Sequence, residues 1–413
     1  MIPEACRESG RLFYSLLLLD KRLLLCPCNP LKKRYNQFNH IVIRRSFMKL
    51  VCSSIIYDNP LPQLRSRHGF FPSACQCADG SITAMYVVGQ AFESVDSATV
   101  VSRSFDGGIT WSAPKPCFDK SGFPVPITDY AKAVPLPDGR LLAVGYAYLR
   151  PDPEKPIGNP ENGGVLDDFV FFATSSDNGE SWSQIQKIAE HWGGHTEASA
   201  PITVLQDGTW ITPITGFPTW DGQMTGTMLG RALRSDDGGK SWNDDAVCMD
   251  FGKPVTCYEQ RMCQLASGTI VCIGWNEDTV TGQRLENHIT YSEDGGKTWS
   301  APISTGILGQ ASSVCALGGE KLLALHAVRR DTDRPGIYGC IVDFSQKTWN
   351  IREQQLLWEP NAPVVKDARM AEIFSFLKFG QPGAILLADG DILMTHWYAE
   401  QGQYKTCATR IRL

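Results

Sequence analysis

Two short segments of the chain carry residue types that can do chemistry together. In HWGGHTEASAPITV, His195 and Glu197 stand two residues apart after a Gly-Gly turn, at the start of an apolar run. Residues two apart on a strand share a face. The pair can therefore serve as a base and its orienting partner, or alternatively as a cap or a tie between structural units. YEQRMCQLASG sets Glu259 and Arg261 in the same relation. A carboxylate among apolar strand neighbours is costly unless paired, which makes Arg261 its natural partner. Arg67, His68, Tyr130, Arg329, Gln381 and Tyr398 stand at the ends of other apolar runs, and Asp96 lies in the loop ESVDSATVVSR. Carboxylates act as acid, base or nucleophile at a glycosidic bond, arginines pair bidentately with an anion, and aromatic faces stack on a sugar ring. The expected ligand is a glycan, especially one bearing a carboxylate. No metal-ligand spacing and no cofactor motif accompanies the set.

These residues are scattered over more than 300 positions, so a repeated scaffold must gather them. The repeat is an octet, Ser-x-Asp-x-Gly-x-(Thr/Ser)-Trp, present four times: Ser104–Trp111, Ser175–Trp182, Ser235–Trp242 and Ser292–Trp299. A worn fifth copy, VDFSQKTW, ends at Trp349. The octet is a tight turn: Asp accepts from backbone N–H groups of its own turn, Gly supplies a positive φ, and Trp buries a large ring. A second repeat sets the count. Six small-residue turns join apolar runs, at Asp79-Gly80, Asp138-Gly139, Asp207-Gly208, Ser267-Gly268, Gly318-Gly319 and Asp389-Gly390. Asp-Gly between alternating apolar segments is a strong hairpin signal. The unit reads strand, hairpin turn, strand, loop, strand, octet, strand. Six such units predict an all-β, six-bladed β-propeller of four-stranded antiparallel blades.

The sixth unit runs out of chain at Leu413 with three strands, and the strand-like Lys49–Tyr57 precedes the first unit with no hairpin of its own. It is expected to close the ring, making residues 48–413 one domain. Residues 1–47 are basic, carry no repeat, and read as an extension: a mis-assigned start ahead of Met48, or a tail. Leu16–Leu19 is too short for a membrane span and is broken by Asp20-Lys21-Arg22. A net charge of −5 gives no footprint for nucleic acid and no polybasic membrane patch. The scattered cysteines read as core packing, and without an export signal a cytoplasmic location is expected.

Alternating strand direction places both turn types on one face of the ring. Function is then expected on the opposite face, on loops around the axis, where every residue named in the first paragraph falls. The octets are structural.

Four octets on six hairpin units resemble the sialidase (neuraminidase) superfamily, whose repeat is called the Asp-box and whose fold is a six-bladed propeller. The resemblance covers Lys49–Leu413. It implies an exo-glycosidase acting on a terminal acidic sugar, with a glycan-binding propeller or a glycan lyase as alternatives on the same fold. It assigns Asp96 as the acid/base, a few residues before the third strand of the first blade. It assigns Glu259, nine residues before Gly268, as partner of the nucleophile or as base. The family's Arg-x-Pro is replaced by Phe70-Phe71-Pro72, leaving Arg67 or Arg65 to substitute, and Gln381 stands where a nucleophilic Tyr is expected. Tyr398, Tyr130 and Tyr258 remain as alternatives. Glu197 is added from its own residues.

Overall fold

The computed structural model describes residues 48–189, 194–223, 229–361 and 377–413; the extension expected over residues 1–47 lies outside them. Among the described residues, twenty-five strands form six sheets. The outer strand of the last sheet is the first in the chain, β1 (Lys49–Tyr57). Blade one holds β2 (His68–Gln76), β3 (Ile82–Gly89), β4 (Ala98–Ser104) and β5 (Lys115–Pro116). Blade two holds β6 (Ile127–Pro135), β7 (Leu141–Leu149), β8 (Asp168–Ser175) and β9 (Gln186–Lys187). In blade three the inner strand is split into β10 (His195–Glu197) and β11 (Thr203–Val204), both paired with β12 (Trp210–Phe217), followed by β13 (Gly230–Ser235) and β14 (Asn243–Met249). Blade four runs through β15 (Tyr258–Gln264), β16 (Ile270–Trp275), β17 (His288–Ser292) and β18 (Ile303–Ser304). Blade five comprises β19 (Ser312–Gly318), β20 (Lys321–Val328), β21 (Gly336–Asp343) and β22 (Asn350–Trp358). Blade six is β23 (Phe379–Leu386), β24 (Ile392–Glu400) and β25 (Gln403–Arg412), completed by β1.

Ring closure follows the expectation. β1 pairs antiparallel with β25 from Lys49 opposite Arg412 to Tyr57 opposite Thr406. The fourth strand of the last blade is thus Lys49–Tyr57, which precedes blade one in sequence, and among the described residues every blade has four strands or more.

The octets do what their composition dictates. Asp106 Oδ1 accepts from the backbone N–H of Ile109 and Thr110 at 3.1 and 2.9 Å, and Oδ2 from the Thr110 hydroxyl at 2.6 Å. Ser104 Oγ donates to Asp106 and accepts from Gly108 N, both at 2.8 Å. The copy in blade four repeats the pattern around Asp294. These turns also join neighbouring blades. At Gly296 (φ 85°) a Cβ would come within 2.3 Å of Ile211 Cδ1 in blade three, so only glycine fits. Trp111 Nε1 donates to Ser54 Oγ on the closing strand at 3.0 Å. Hairpin and octet turns share a face: Arg103 bridges Asp79 of one hairpin and Glu180 of the next octet, at 3.0 Å to each. Asp294→Ala is therefore expected to lower the thermal midpoint by a few degrees, by analogy with the loss of a capping side chain, with KM and kcat unchanged. Calorimetry beside a steady-state assay checks this; an Asp294 variant that is stable but inactive would put the working face on the wrong side.

Candidate active site

Three inner strands break register at the same point of the repeat. β2 is bulged between Phe70 and Ser73, β15 between Tyr258 and Arg261, and β23 between Gly380 and Gly383. In each bulge one non-glycine residue is left-handed: Phe71 (φ 54°), Glu259 (φ 44°) and Gln381 (φ 44°). Each lies nine residues before its hairpin glycine, so they are equivalent positions of the repeat. Such backbone costs about 1–3 kcal/mol per residue and persists where the surroundings over-determine it, often at functional sites. A bulge re-aims a side chain, here toward the axis. Gln381 Nε2 donates to Glu259 Oε1, linking blade six to blade four. Trp275 Nε1, from the end of β16, donates to Glu259 Oε2 at 2.7 Å. Both carboxylate oxygens of Glu259 are therefore held by neutral donors.

Glu197, from β10, shares this environment. Burial and the negative charge of Glu259 push its carboxyl up to about 7, against the pull of Ser199, Arg261 and Lys132. Arg261 is buried, and its Nη1 donates to Ser199 Oγ at 3.0 Å and to the Gln260 carbonyl at 2.8 Å. Burial lowers the Arg261 pKa while Glu259 and Glu197 oppose the shift. Arg329, buried just after β16's counterpart in blade five, β20, also lies within electrostatic reach of Glu259. Burial brings its pKa down to about 10, again opposed by Glu259, and Nη2 donates to the Gln310 carbonyl at 3.3 Å. Its guanidinium packs where a Cβ on Gly380 would come within 2.8 Å. Lys132, on β6, completes the set: its Nζ donates to the Phe71 carbonyl at 3.1 Å. Burial, then the like charge of Arg261, pulls its ammonium down to about 7.

The axis thus gathers Glu197, Glu259, Arg261, Arg329 and Gln381 with Lys132. Tyr130 and Tyr146 stack in the wall, ring centres 5.2 Å apart and planes 19° apart. A cavity of about 20 Å³ is lined by Phe71, Tyr130, Lys132, Tyr146, Ser199 and Gln381. A second, of about 90 Å³, lies further along the inner strands, sharing Lys132 and Gln381 and adding Arg261.

The remaining expected residues form separate sets. Asp96 pairs with Arg67 at 2.5 Å and accepts from Gln90 N at 3.1 Å. Burial raises the Asp96 carboxyl, but Ser94, the Gln90 amide and Arg67 outweigh it and hold the group below its ordinary range. His68 accepts from Tyr404 N through Nδ1 at 3.2 Å and contacts Ser66 Oγ through Nε2 at 3.0 Å. His195 Nδ1 faces the buried Asp168 at 3.1 Å. Tyr398 packs against Trp358 in the wall between blades five and six. Lys132 and Tyr146 were not among the expected residues. Lys132 carried a readable signal, as the charged residue inside the apolar strand segment YAKAVP.

A family model described as "BNR repeat-like domain" matches residues 158–359, and one described as "BNR/Asp-box repeat" matches residues 102–113. No curated protein matches the sequence. Among solved structures, the chain is similar to a protein of unknown function from Dyadobacter fermentans DSM 18053, at 19% identity and TM-score 0.68, over 89% of this chain and 99% of that one. It is similar to the NanB sialidase from Streptococcus pneumoniae at 12% identity and TM-score 0.59, over 87% of this chain and 70% of the other. It is also similar to Trypanosoma rangeli sialidase in complex with the inhibitor DANA, at 16% identity and TM-score 0.56, over 83% of this chain and 55% of that enzyme. The octet chemistry, the six closed blades and these matches together make the chain a BNR/Asp-box repeat propeller with the fold of the sialidase superfamily.

Proposed function

We propose that the propeller is a glycan hydrolase acting on a terminal acidic sugar, with Glu197 as proton donor and Glu259 as base or nucleophile. The observation that carries this reading is the gathering of Glu197 and Glu259 with Arg261, Arg329 and Lys132 on the inner strands, an environment in which burial and Glu259 raise the Glu197 carboxyl to about 7. Glycoside cleavage needs one carboxyl that keeps its proton near neutrality and a second carboxyl group facing the same bond. Arg261, Arg329 and Lys132 surround the pair and supply positive charge for the anionic group of the sugar. Asp96, whose pKa is lowered beside Arg67, is better suited to remain ionised than to donate a proton. In this reading it orders the loop of blade one beside the site.

A binding-only propeller is the second reading, favoured by Gln381, which stands where the resemblance expects a nucleophilic Tyr and instead donates to Glu259. Pockets that hold small molecules usually measure roughly 300–1,000 Å³, whereas the two on the axis measure about 20 and 90 Å³. A sugar at the axis, whether only bound or also cleaved, therefore requires these cavities to widen. The two readings separate in a screen of chromogenic α- and β-glycosides of acidic and neutral sugars. Turnover of an acidic glycoside, lost by at least about 100-fold in Glu259→Gln, supports the hydrolase. Binding of an acidic sugar by calorimetry with no turnover of any glycoside supports the lectin-like alternative and sinks the first reading.

A further inference from the structure

Lys132 enters the hydrolytic reading only as a charge, yet its surroundings are those of an amine nucleophile. It stands on β6, 7% exposed, and its side chain lines both axial cavities. An ammonium can donate three hydrogen bonds. Among the described residues Lys132 Nζ makes one, to the Phe71 carbonyl at 3.1 Å, and no carboxylate lies within ion-pair distance of it. A buried ammonium without a paired carboxylate gives up its proton easily. Desolvation and a neighbouring cation, here Arg261, are the two devices that activate a lysine as a nucleophile. Above about pH 7 the group is mostly an uncharged amine with a lone pair to offer.

The larger axial cavity, of about 90 Å³, holds Lys132 and Arg261 in one space, walled in part by Pro72, Val134 and Met262. A cavity of about 150 Å³ takes up benzene. The axial one is therefore on the scale of a ligand of about half a dozen non-hydrogen atoms or fewer, smaller than a sugar. Arg261 Nη1 is fixed by Ser199 Oγ and the Gln260 carbonyl, and its Nη2 makes no hydrogen bond among the described residues. An anchored guanidinium takes a carboxylate, and an amine lone pair takes a carbonyl carbon. Arg261 is the charged group that acts most strongly on Lys132, so the two recognition elements are neighbours. Carboxylate and carbonyl are neighbours in a 2-oxo acid.

We propose that Lys132 forms an imine with the carbonyl of a small 2-oxo acid whose carboxylate is held by Arg261 in the same cavity. The Nζ lone pair adds to the carbonyl carbon, and a proton passes from nitrogen to the former carbonyl oxygen, giving a carbinolamine. The C–O bond then breaks. The hydroxyl leaves as water with a proton from the Glu197 carboxyl, and the nitrogen lone pair completes the C=N bond of an iminium. Glu197 remains as a carboxylate within electrostatic reach of it. This site does not depend on glycoside hydrolysis.

The test incubates the whole chain at pH 8 with pyruvate and cyanoborohydride, which reduces an imine to a stable secondary amine, and maps the digest by mass spectrometry. One carboxyethyl group is expected on Lys132, at a yield at least about tenfold above that on the exposed Lys240 and Lys297. Hydroxyacetone, a ketone of similar size without the carboxylate, should label Lys132 at least about tenfold less, each yield being taken relative to free N-acetyl-lysine. Lys132→Met should lose the label, with near-UV circular dichroism reporting its fold; should that variant not fold, the map of the wild type still locates the label. No label on Lys132, label no greater there than on Lys240 and Lys297, or equal labelling by the two ketones overturns the proposal. Label on Lys132 in a chain inactive on every glycoside would sink the hydrolase reading and leave the imine site standing. Turnover of an acidic glycoside with no label would do the reverse.

Discussion

Glu197→Gln is expected to reduce turnover of an acidic glycoside by at least about 100-fold and to change how stability responds to pH. The first effect follows from loss of the proton donor. In the wild type the alkaline limb of kcat should fall near pH 7, where Glu197 gives up its proton, and the residual activity of the Gln variant should lack that limb. The second effect has a definite sign. The native Glu197 carboxyl titrates at about 7, above its ordinary value, because burial and Glu259 disfavour the charged form. A raised carboxyl contributes stability that is fully present below the unfolded value and is lost as pH rises through the native one. The loss is on the order of 3 kcal/mol between about pH 4 and pH 8. The facing groups Lys132 and Arg261 moderate it, and Ser199 takes part through its hydrogen bond. Glu197→Gln should thus match the wild type near pH 4.5 and exceed it at pH 8, as measured by urea unfolding at the two pH values. A variant of unchanged activity, or one destabilised equally at both, would place Glu197 outside the proton-transfer machinery.

The scaffold is legible in the chain because its chemistry is local. Ser104, Asp106, Gly108 and Thr110 close their turn within seven residues, and the same closure recurs around Asp294. The site is less legible because its contacts are distant and because the bulges defeat strand alternation. Reading period two along YEQRMCQ assigns Tyr258, Gln260 and Met262 to one face. The bulge between Tyr258 and Arg261, with Glu259 left-handed, breaks that order and brings Glu259 to Gln381, 122 residues away. Gln381 reads in sequence as a lost nucleophile; in the fold it is the donor that holds a catalytic candidate. Lys132 shows the converse. Its strand announces a buried charge, but the partners that make that charge useful, Glu197, Glu259 and Arg261, come from blades three and four.

Arg261→Met is expected to be the most destabilising single change at the axis. Arg261 is buried within electrostatic reach of Glu259 and Glu197 and is fixed by Ser199 and the Gln260 carbonyl. Methionine preserves most of the volume and removes the charge, so the variant reports electrostatics more than packing. Glu197 and Glu259 are left facing each other with Lys132 and Arg329 as the remaining cations, and breaking a buried ionic set by removing one member typically costs about 3–5 kcal/mol. The cost should be greatest near pH 8, where Glu197 carries charge in the wild type. It should shrink toward pH 5, where Glu197 can hold its proton and relieve the repulsion. Adding Glu259→Gln to Arg261→Met should return a large part of the lost stability, because the repulsion then has one member. The double-mutant cycle should give a coupling of about 1–3 kcal/mol, as for residues in one network. Urea unfolding of the four proteins at pH 5 and pH 8 measures all of these quantities. A loss in Arg261→Met that ignores pH and is not relieved by Glu259→Gln would mean that Arg261 acts through packing. The axial carboxylates would then be independent of it, and the charge balance invoked for binding an acidic sugar would fall with that result.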